Sequence, residues 1–313
     1  MIRVAIVSKH TVGARLFRQN IRDDRVEFGD HDMVDPDWLA CFDEPPAGVV
    51  TTVSLSRRLV MLTEPPEIKA YRRRYLAQFG VAISPMPLMG FSGTVIRSHA
   101  ALTWFYGTET LDELRQLQPG PKINAVSVVI TRKSKTAQHR ARLRFVEKLK
   151  QRLGDRLQIF GAGFHPVDNK REAIDPVRYH LALENNVHEH FWTEKIADAY
   201  LGWTLPLYAG CPNMADYVPA DSFCRLDLSD IPGSIAVVER CLDEDPYDSR
   251  LAAIRVARQR LLDEHNIFAL LQRLVLALAP GVQGDRLTTP EPLLTNGAFK
   301  LSAVLSRRIS GGT

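Results

Sequence analysis

Short, almost wholly apolar runs separated by longer amphipathic stretches confine this chain to a small set of folds. A strand covered on both faces reads as an unbroken Val/Ile/Leu run. Such strands pair in parallel because an amphipathic helix carries the chain back between them. In the first half Val4–Val7, Val49–Val53, Leu59–Leu62 and Val81–Ser84 have this character. In the second half Ala125–Ile130, Leu157–Phe160, His180–Leu183, Leu205–Tyr208 and Ser222–Leu226 repeat it. Between them, Ile68–Phe79 predicts a helix with Ile68, Tyr71, Tyr75 and Phe79 on one face and Arg72, Arg73 and Arg74 in solvent. A basic turn and helix run from Thr131 to Leu153, and Thr193 is placed to cap a helix that Gly202 stops after Leu201. Arg250–Asp263 and Ile267–Leu278 are helical patterns that close the second half. The stretch Gln116–Lys122 (QLQPGPK) is the best linker. The expected organisation is therefore α/β, with a first domain over 1–121, a second over 122–280 and a tail over 281–313.

With 313 residues the chain is long enough for two ordinary domains, and 45% hydrophobic with 24% charged residues excludes a disordered chain. A net charge of +4 and a pI near 8.9 suit an anionic ligand or membrane surface. Cys41, Cys211, Cys224 and Cys241 form no CxxC pair, so reduced, buried thiols are expected. No apolar run reaches membrane-spanning length and the first residues read as a strand, which implies a cytoplasmic protein. The tail carries Phe299, Leu301, Val304 and Leu305 beside Lys300, Arg307 and Arg308. It is expected to form a short basic helix that packs on the first domain or lies peripherally on the inner face of the membrane. Gly161-Ala162-Gly163 follows a strand but lacks the third glycine of a dinucleotide loop, and reads as a tight turn.

The chemistry concentrates between Tyr179 and Phe223. A strand ends in Glu184-Asn185-Asn186, a loop follows, and Thr193-Glu194-Lys195 opens a helix. That places a carboxylate, amides and a cation at the C-terminal edge of a parallel sheet, where open α/β folds bind ligands. The free N–H groups and dipole of the helix start favour a phosphate, to which Lys195 adds a full charge, while Glu194 suits ribose hydroxyls. Each residue alone is also an ordinary turn or first-turn residue.

As an ordered set, these residues resemble the donor-binding motif of the α-1,3-fucosyltransferase family (glycosyltransferase family 10). That family has a strand, Glu-Asn-Ser, a short loop, Tyr-x-Thr-Glu-Lys, then Pro-Val/Ile-x-x-Gly and Pro-x-x-Ser-Phe. Here the corresponding residues are Leu183-Glu184-Asn185-Asn186, Phe191-Trp192-Thr193-Glu194-Lys195, Pro206 to Gly210 and Pro219 to Phe223. The resemblance covers the second half, and departs from the pattern at Phe191 for Tyr and Asn186 for Ser. It implies a GT-B fold, two Rossmann-like domains facing across a cleft, with an acceptor domain first and a donor domain second. It also implies a GDP-sugar donor, most specifically GDP-L-fucose. Glu184, Asn185 and Phe191 would lie on the donor, Glu194 on its ribose and Lys195 on its phosphates. Arg142, ahead of Phe145-Val146-Glu147-Lys148-Leu149, would grip the diphosphate, with Arg140 and Arg132 as neighbouring substitutes.

Inverting transfer needs a carboxylate base on the acceptor side and positive groups for the departing diphosphate. The family's base stands in a Tyr-Thr-Gly-Glu-Asn context, which resembles Leu62-Thr63-Glu64-Pro65 here, so Glu64 is the expected base and Glu67 the second choice. No cofactor or divalent metal is required if the cations suffice. Asp35-Pro36-Asp37 and Asp243-Glu244-Asp245 mimic metal-binding acidic pairs but sit in loop-like sequence, and His188 and His190 are more suited to substrate contact. The expected partners are a nucleotide sugar and a glycan such as lipopolysaccharide, with no nucleic acid. The rival readings are a related transferase using another nucleotide sugar and a non-catalytic nucleotide-sugar or nucleic-acid binding protein.

Overall fold

The computed structural model describes residues 1–9, 16–18, 20–21, 23–101, 103–281 and 286–297. Phe299 to Arg308, on which the expected basic helix rests, lie outside the described residues.

The first lobe is built on strands β1 (Ile2–Val7), β2 (Val26–Gly29), β3 (Trp38–Phe42), β5 (Arg58–Met61), β6 (Val81–Ser84) and β7 (Thr94–Arg97), with β4 (Val50–Thr51) to one side. The six pair in the order β2-β1-β3-β5-β6-β7, all parallel. β3 and β5 are buried at every position; β5 matches the expected run from Leu59, whereas β3 was not among the expected strands. The expected strand over Val49–Val53 is only the two-residue β4, which pairs antiparallel with the late strand β13 (Glu291–Pro292) instead of joining the sheet. The expected helix over Ile68–Phe79 shrinks to α1 (Arg73–Leu76). Its first half is drawn out of helical geometry because Lys69 and Tyr71 reach back to the buried Asp43, and Ile68 is left exposed.

The second lobe holds α2 (Leu111–Gln116), β8 (Ile123–Val129), α3 (Ala137–Leu153), β9 (Leu157–Phe160), α4 (Arg171–Ile174), β10 (Val177–Leu183), α5 (Glu194–Leu201), β11 (Leu205–Ala209), β12 (Cys224–Arg225), α6 (Ile231–Glu244) and α7 (Tyr247–Arg260). Its sheet runs β12-β11-β10-β8-β9, again parallel throughout. Gly161 (φ +111°) and Gly163 (φ +88°) form the tight turn after β9. An added Cβ on Gly161 would fall 2.3 Å from the Ile130 carbonyl oxygen. Helix α6 escapes the sequence pattern because its Asp230-Ile231-Pro232-Gly233 opening looks like a loop. In fact Asp230 caps it and Pro232 sits in the first turn, where no N–H is missed.

The domain boundaries differ from those expected in two places. Trp104, Tyr106, Leu111 and Leu114 belong to the core of the second lobe, so the chain crosses over between Ala101 and Trp104 and not at Gln116–Lys122. It then crosses back. A π-turn over Leu261–His265 ends α7, and Asn266 accepts from the Ala269 N–H to cap helix α8 (Ile267–Leu278). Helix α8 buries Ile267, Phe268, Leu270, Leu271 and Val275 against the first sheet, completing that lobe's core and not the second's. Each such side chain contributes about 1.5–3 kcal/mol of burial, enough to hold a helix across a lobe boundary. The chain after α8 continues on the first lobe, where Leu293 is buried on the other face of the sheet and Glu291 pairs with Arg58. Among the described residues no helix is long and apolar enough to cross a membrane. Two parallel-sheet lobes with their strand ends turned to a shared cleft constitute the GT-B arrangement.

Candidate active site

The second-lobe half of the site is organised by a buried carboxylate. Glu184 leaves β10 fully buried, and its carboxylate accepts from the Thr193 N–H at 2.8 Å and from the Thr193 hydroxyl at 2.8 and 3.0 Å. Thr193 in turn accepts from the Lys195 N–H as N-cap of α5. Glu184 is thus the support beneath the helix start and not a donor contact, contrary to expectation. Burial raises its pKa, partly offset by Lys195, whose Nζ lies 3.5 Å away. The glycine of the Pro-x-x-x-Gly element is explained by the same carboxylate: a Cβ on Gly210 would stand 2.4 Å from Glu184 Cγ. Ser222 of the Pro-x-x-Ser-Phe element is buried, with its hydroxyl 2.7 Å from Tyr200 of α5 and donating to the Pro219 carbonyl at 2.6 Å. Those two motif elements are scaffold.

On this support three cations line one crevice at the C-terminal ends of β8 and β10: Arg142, Lys170 and Lys195. Lys195 Nζ donates to Thr193 Oγ1 at 3.0 Å and pairs with Glu194 at 3.2 Å. Burial alone would lower its pKa, but Glu194 and Glu184 outweigh that and hold the ammonium above lysine's ordinary value. Glu194 behaves in mirror image. Its burial is overcome by Lys195 and Lys170, and its carboxyl falls to about 2. Lys170 was not found from the sequence. It precedes α4 and is anchored at 2.6 Å to Asp198, a fully buried carboxyl that burial pushes up to about 6. Arg142 donates to the Leu183 carbonyl at 3.0 Å, while its buried Nε has no hydrogen-bond partner. Arg132 and Arg140 bond backbone carbonyls of Gly163 and of Ser134 and Lys135, and of the three arginines it is Arg142 that lines the crevice.

The loop between β10 and α5 is rich in unspent polar atoms. Asn185 Oδ1, both amide atoms of Asn186 and the Trp192 indole N–H are buried without partners. Each such group costs about 1–3 kcal/mol, so their clustering marks a surface shaped for hydrogen bonds from outside the chain. Phe191 is buried and does not line the crevice, contrary to the expectation that it touches the donor. His190 lies with Nδ1 2.7 Å from the Tyr217 hydroxyl.

Across the cleft, Glu64 follows β5 and is half-buried. Burial raises its pKa, Asp43 adds to this, and Lys195 and Lys69 pull it back; Glu194 also acts on it. Two of those groups, Lys195 and Glu194, belong to the opposite lobe, so their charges reach Glu64 across the cleft. The backbone around it is pinned by Tyr71, whose hydroxyl accepts from the Thr63 and Glu64 N–H groups at 3.2 and 3.3 Å and donates to Asp43 at 2.6 Å. Asp43 is itself buried and bonded to Lys69 Nζ at 2.8 and 2.9 Å. Glu67 is exposed and lies 3.0 Å from His188 Nε2 of the other lobe, a direct bridge over the cleft. Despite some burial, its own backbone N–H and His188 lower its pKa, making it a weaker base than Glu64. The acidic pairs are already engaged: Asp35 with Arg286, Asp37 with the Arg3 N–H, and Asp245 with Arg178 and Tyr179.

Comparison with known proteins decides the lineage of this half. The model of the C-terminal part of glycosyltransferase family 10 (fucosyltransferase) matches residues 122–247. That match covers less than half of the chain and marks this segment as similar to the family. The chain is 26% identical over 110 residues to the 4-galactosyl-N-acetylglucosaminide 3-alpha-L-fucosyltransferase 9 of Cricetulus griseus. It is 29% identical over 111 residues to the 4-galactosyl-N-acetylglucosaminide 3-alpha-L-fucosyltransferase FUT6 of Pongo pygmaeus. Each match covers 34% of this chain and spans only 30% of the relative's length. Over the whole fold, a crystal structure of an alpha1,3-fucosyltransferase superposes with a TM-score of 0.50 at 14% identity, covering 85% of this chain and 91% of the other. At that identity the likeness speaks for the fold alone, and it extends over both lobes.

Proposed function

We propose that this chain transfers L-fucose from GDP-fucose to a hydroxyl of a glycan acceptor, with inversion at the anomeric carbon. The observation that carries the reading is the clustering of Arg142, Lys170 and Lys195 at one crevice, with Lys195 and Glu194 near enough to act on the charge of Glu64 across the cleft. In this scheme the sugar diphosphate lies against the crevice and the N-terminus of α5. The acceptor hydroxyl attacks the anomeric carbon as Glu64 removes its proton, and the bond to the diphosphate breaks with the developing charge held by the three cations. The pairings of Lys195 with Glu184 and Glu194, and of Lys170 with Asp198, fix the ammonium groups before substrate arrives, so little reorganisation is needed in the transition state.

A related transferase with a different nucleotide sugar has one feature in its favour. Asn186 stands where the family has serine, and its amide offers both a donor and an acceptor without partners. Turnover of a panel of GDP- and UDP-sugars, by wild type and Glu64→Gln, tests both readings. GDP-fucose is expected to turn over, and the variant to lose about 10²–10⁴-fold in kcat with GDP affinity retained. Turnover confined to a UDP-sugar overturns the donor assignment, and equal rates in the variant overturn the role of Glu64.

A further inference from the structure

Away from the cleft, on the far edge of the second sheet, two cysteines from different elements meet. Cys224 lies on the edge strand β12 and Cys241 in the last turns of α6, and their sulfur atoms are 3.4 Å apart. Both are nearly buried, yet both line a cavity of about 300 Å³ whose rim carries Arg225, Arg240 and Arg250. Arg250 Nη1 approaches Cys224 Sγ at 3.4 Å. The other two cysteines differ: Cys41 lies against Tyr75 in the first lobe's core, and Cys211 against Asn213. Neither has a second sulfur beside it.

We propose that Cys224 and Cys241 form a peroxide-reactive dithiol site that closes to an intramolecular disulfide. Geometry favours this, because a disulfide needs the sulfurs to approach to about 2.05 Å, a closure of about 1.4 Å that side-chain rotation of an edge strand and a helix end can supply. Electrostatics favours it as well. The hydrogen bond from Cys241 lowers the Cys224 thiol, burial opposes this, and the Arg250 and Arg240 charges assist it; with Arg250 Nη1 3.4 Å from its sulfur, Cys224 is assigned as the attacking atom. The cationic rim also suits a small, polar oxidant better than an apolar one.

The chemistry runs in two steps. The Cys224 thiolate attacks one oxygen of hydrogen peroxide, the O–O bond breaks, and hydroxide leaves to give a sulfenic acid on Cys224. The Cys241 sulfur then attacks the Cys224 sulfur, expelling the second oxygen as water as the Cys241 proton is lost. Two thiols give up two electrons and two protons, and one peroxide becomes two waters. A thiol reductant reverses the reaction.

The test is thiol counting and non-reducing peptide mapping of the full chain after stoichiometric peroxide. Free thiols are expected to fall from four to two, with one new peptide linking Cys224 to Cys241. In Cys241→Ser the sulfenic acid on Cys224 should persist and be captured by dimedone, with no linked peptide. Four thiols remaining, loss of Cys41 or Cys211 first, or overoxidation of Cys224 without a crosslink in wild type would each overturn the proposal. Because the wild-type peptide map decides by itself, a folding defect in the variant leaves the test intact.

Discussion

Two glutamates three residues apart show how placement decides what a carboxyl can do. Glu67 is exposed and bonded to His188, which lowers its proton affinity; Glu64 is half-buried beside Asp43, which raises it. A base with a raised pKa is deprotonated only above that value, so activity should be lost as pH falls through it. The acidic limb of kcat/KM is expected above 4.5, the ordinary glutamate value, and a limb at or below it would contradict the burial argument. The hydroxyl of Tyr71 holds the backbone of Thr63 and Glu64 in place. Tyr71→Phe removes that acceptor, and kcat should fall about 10- to 100-fold with donor KM unchanged, since small misplacements of a catalytic group cost on this scale. Arg142→Ala should weaken GDP binding by about 1.5–3 kcal/mol in calorimetry, because this guanidinium has donors to spare, although the nearby Glu184 and Glu194 also lose its charge. Among the site residues, Glu194 and Lys195 could be named from one contiguous motif, whereas Arg142 was named from a separate one ahead of Phe145. Lys170 and Asp43 were not, because their roles arise from contacts with Asp198 and Tyr71, each 28 residues away in sequence.

At the scale of elements, burial alone did not decide legibility, since the wholly buried β3 was missed, and the reading fared worst where side chains override local preference. β6 and β9 fall on the expected residues, and the α5 start is fixed by its Thr193 cap. The helix over Ile68–Phe79 fails because a buried carboxylate recruits Lys69 and Tyr71, a non-local cost no periodicity reveals. The β11–β12 connection is constrained through Gly210. Gly210→Ala would drive a methyl into Glu184, at a cost of about 1–3 kcal/mol, and tilt the support of Thr193. Lower denaturation midpoint together with weaker GDP binding is the expected result; unchanged values of both would show that Glu184 is not held in that contact.

At the scale of the molecule, sequence order misleads about which lobe a helix serves. α8 comes after the donor-side segment, yet Phe268 is fully buried and packs on Phe17 and Phe28 at 5.6 and 5.1 Å. Phe268→Ala should cost about 3–5 kcal/mol. Hydrogen exchange should locate the loss in β1, β2 and β3 and spare β8, β10 and β11; the opposite pattern would place α8 with the wrong lobe. An apolar stripe shows that a helix is buried but not against what, and that is why the boundary at 280 could not be read.

The chain passes between lobes twice, after Ala101 and before Ile267, and the two passages lie side by side: His99 and His265 are 5.1 Å apart, with Trp192 stacked on His99 at 4.3 Å. A body joined to another by one strand can swivel freely, whereas two adjacent strands act as a pair of door pins. Two adjacent connections limit the relative motion of the lobes more than one would, so an opening that widens the gap between Glu64 and Lys195 is expected to turn about this corner.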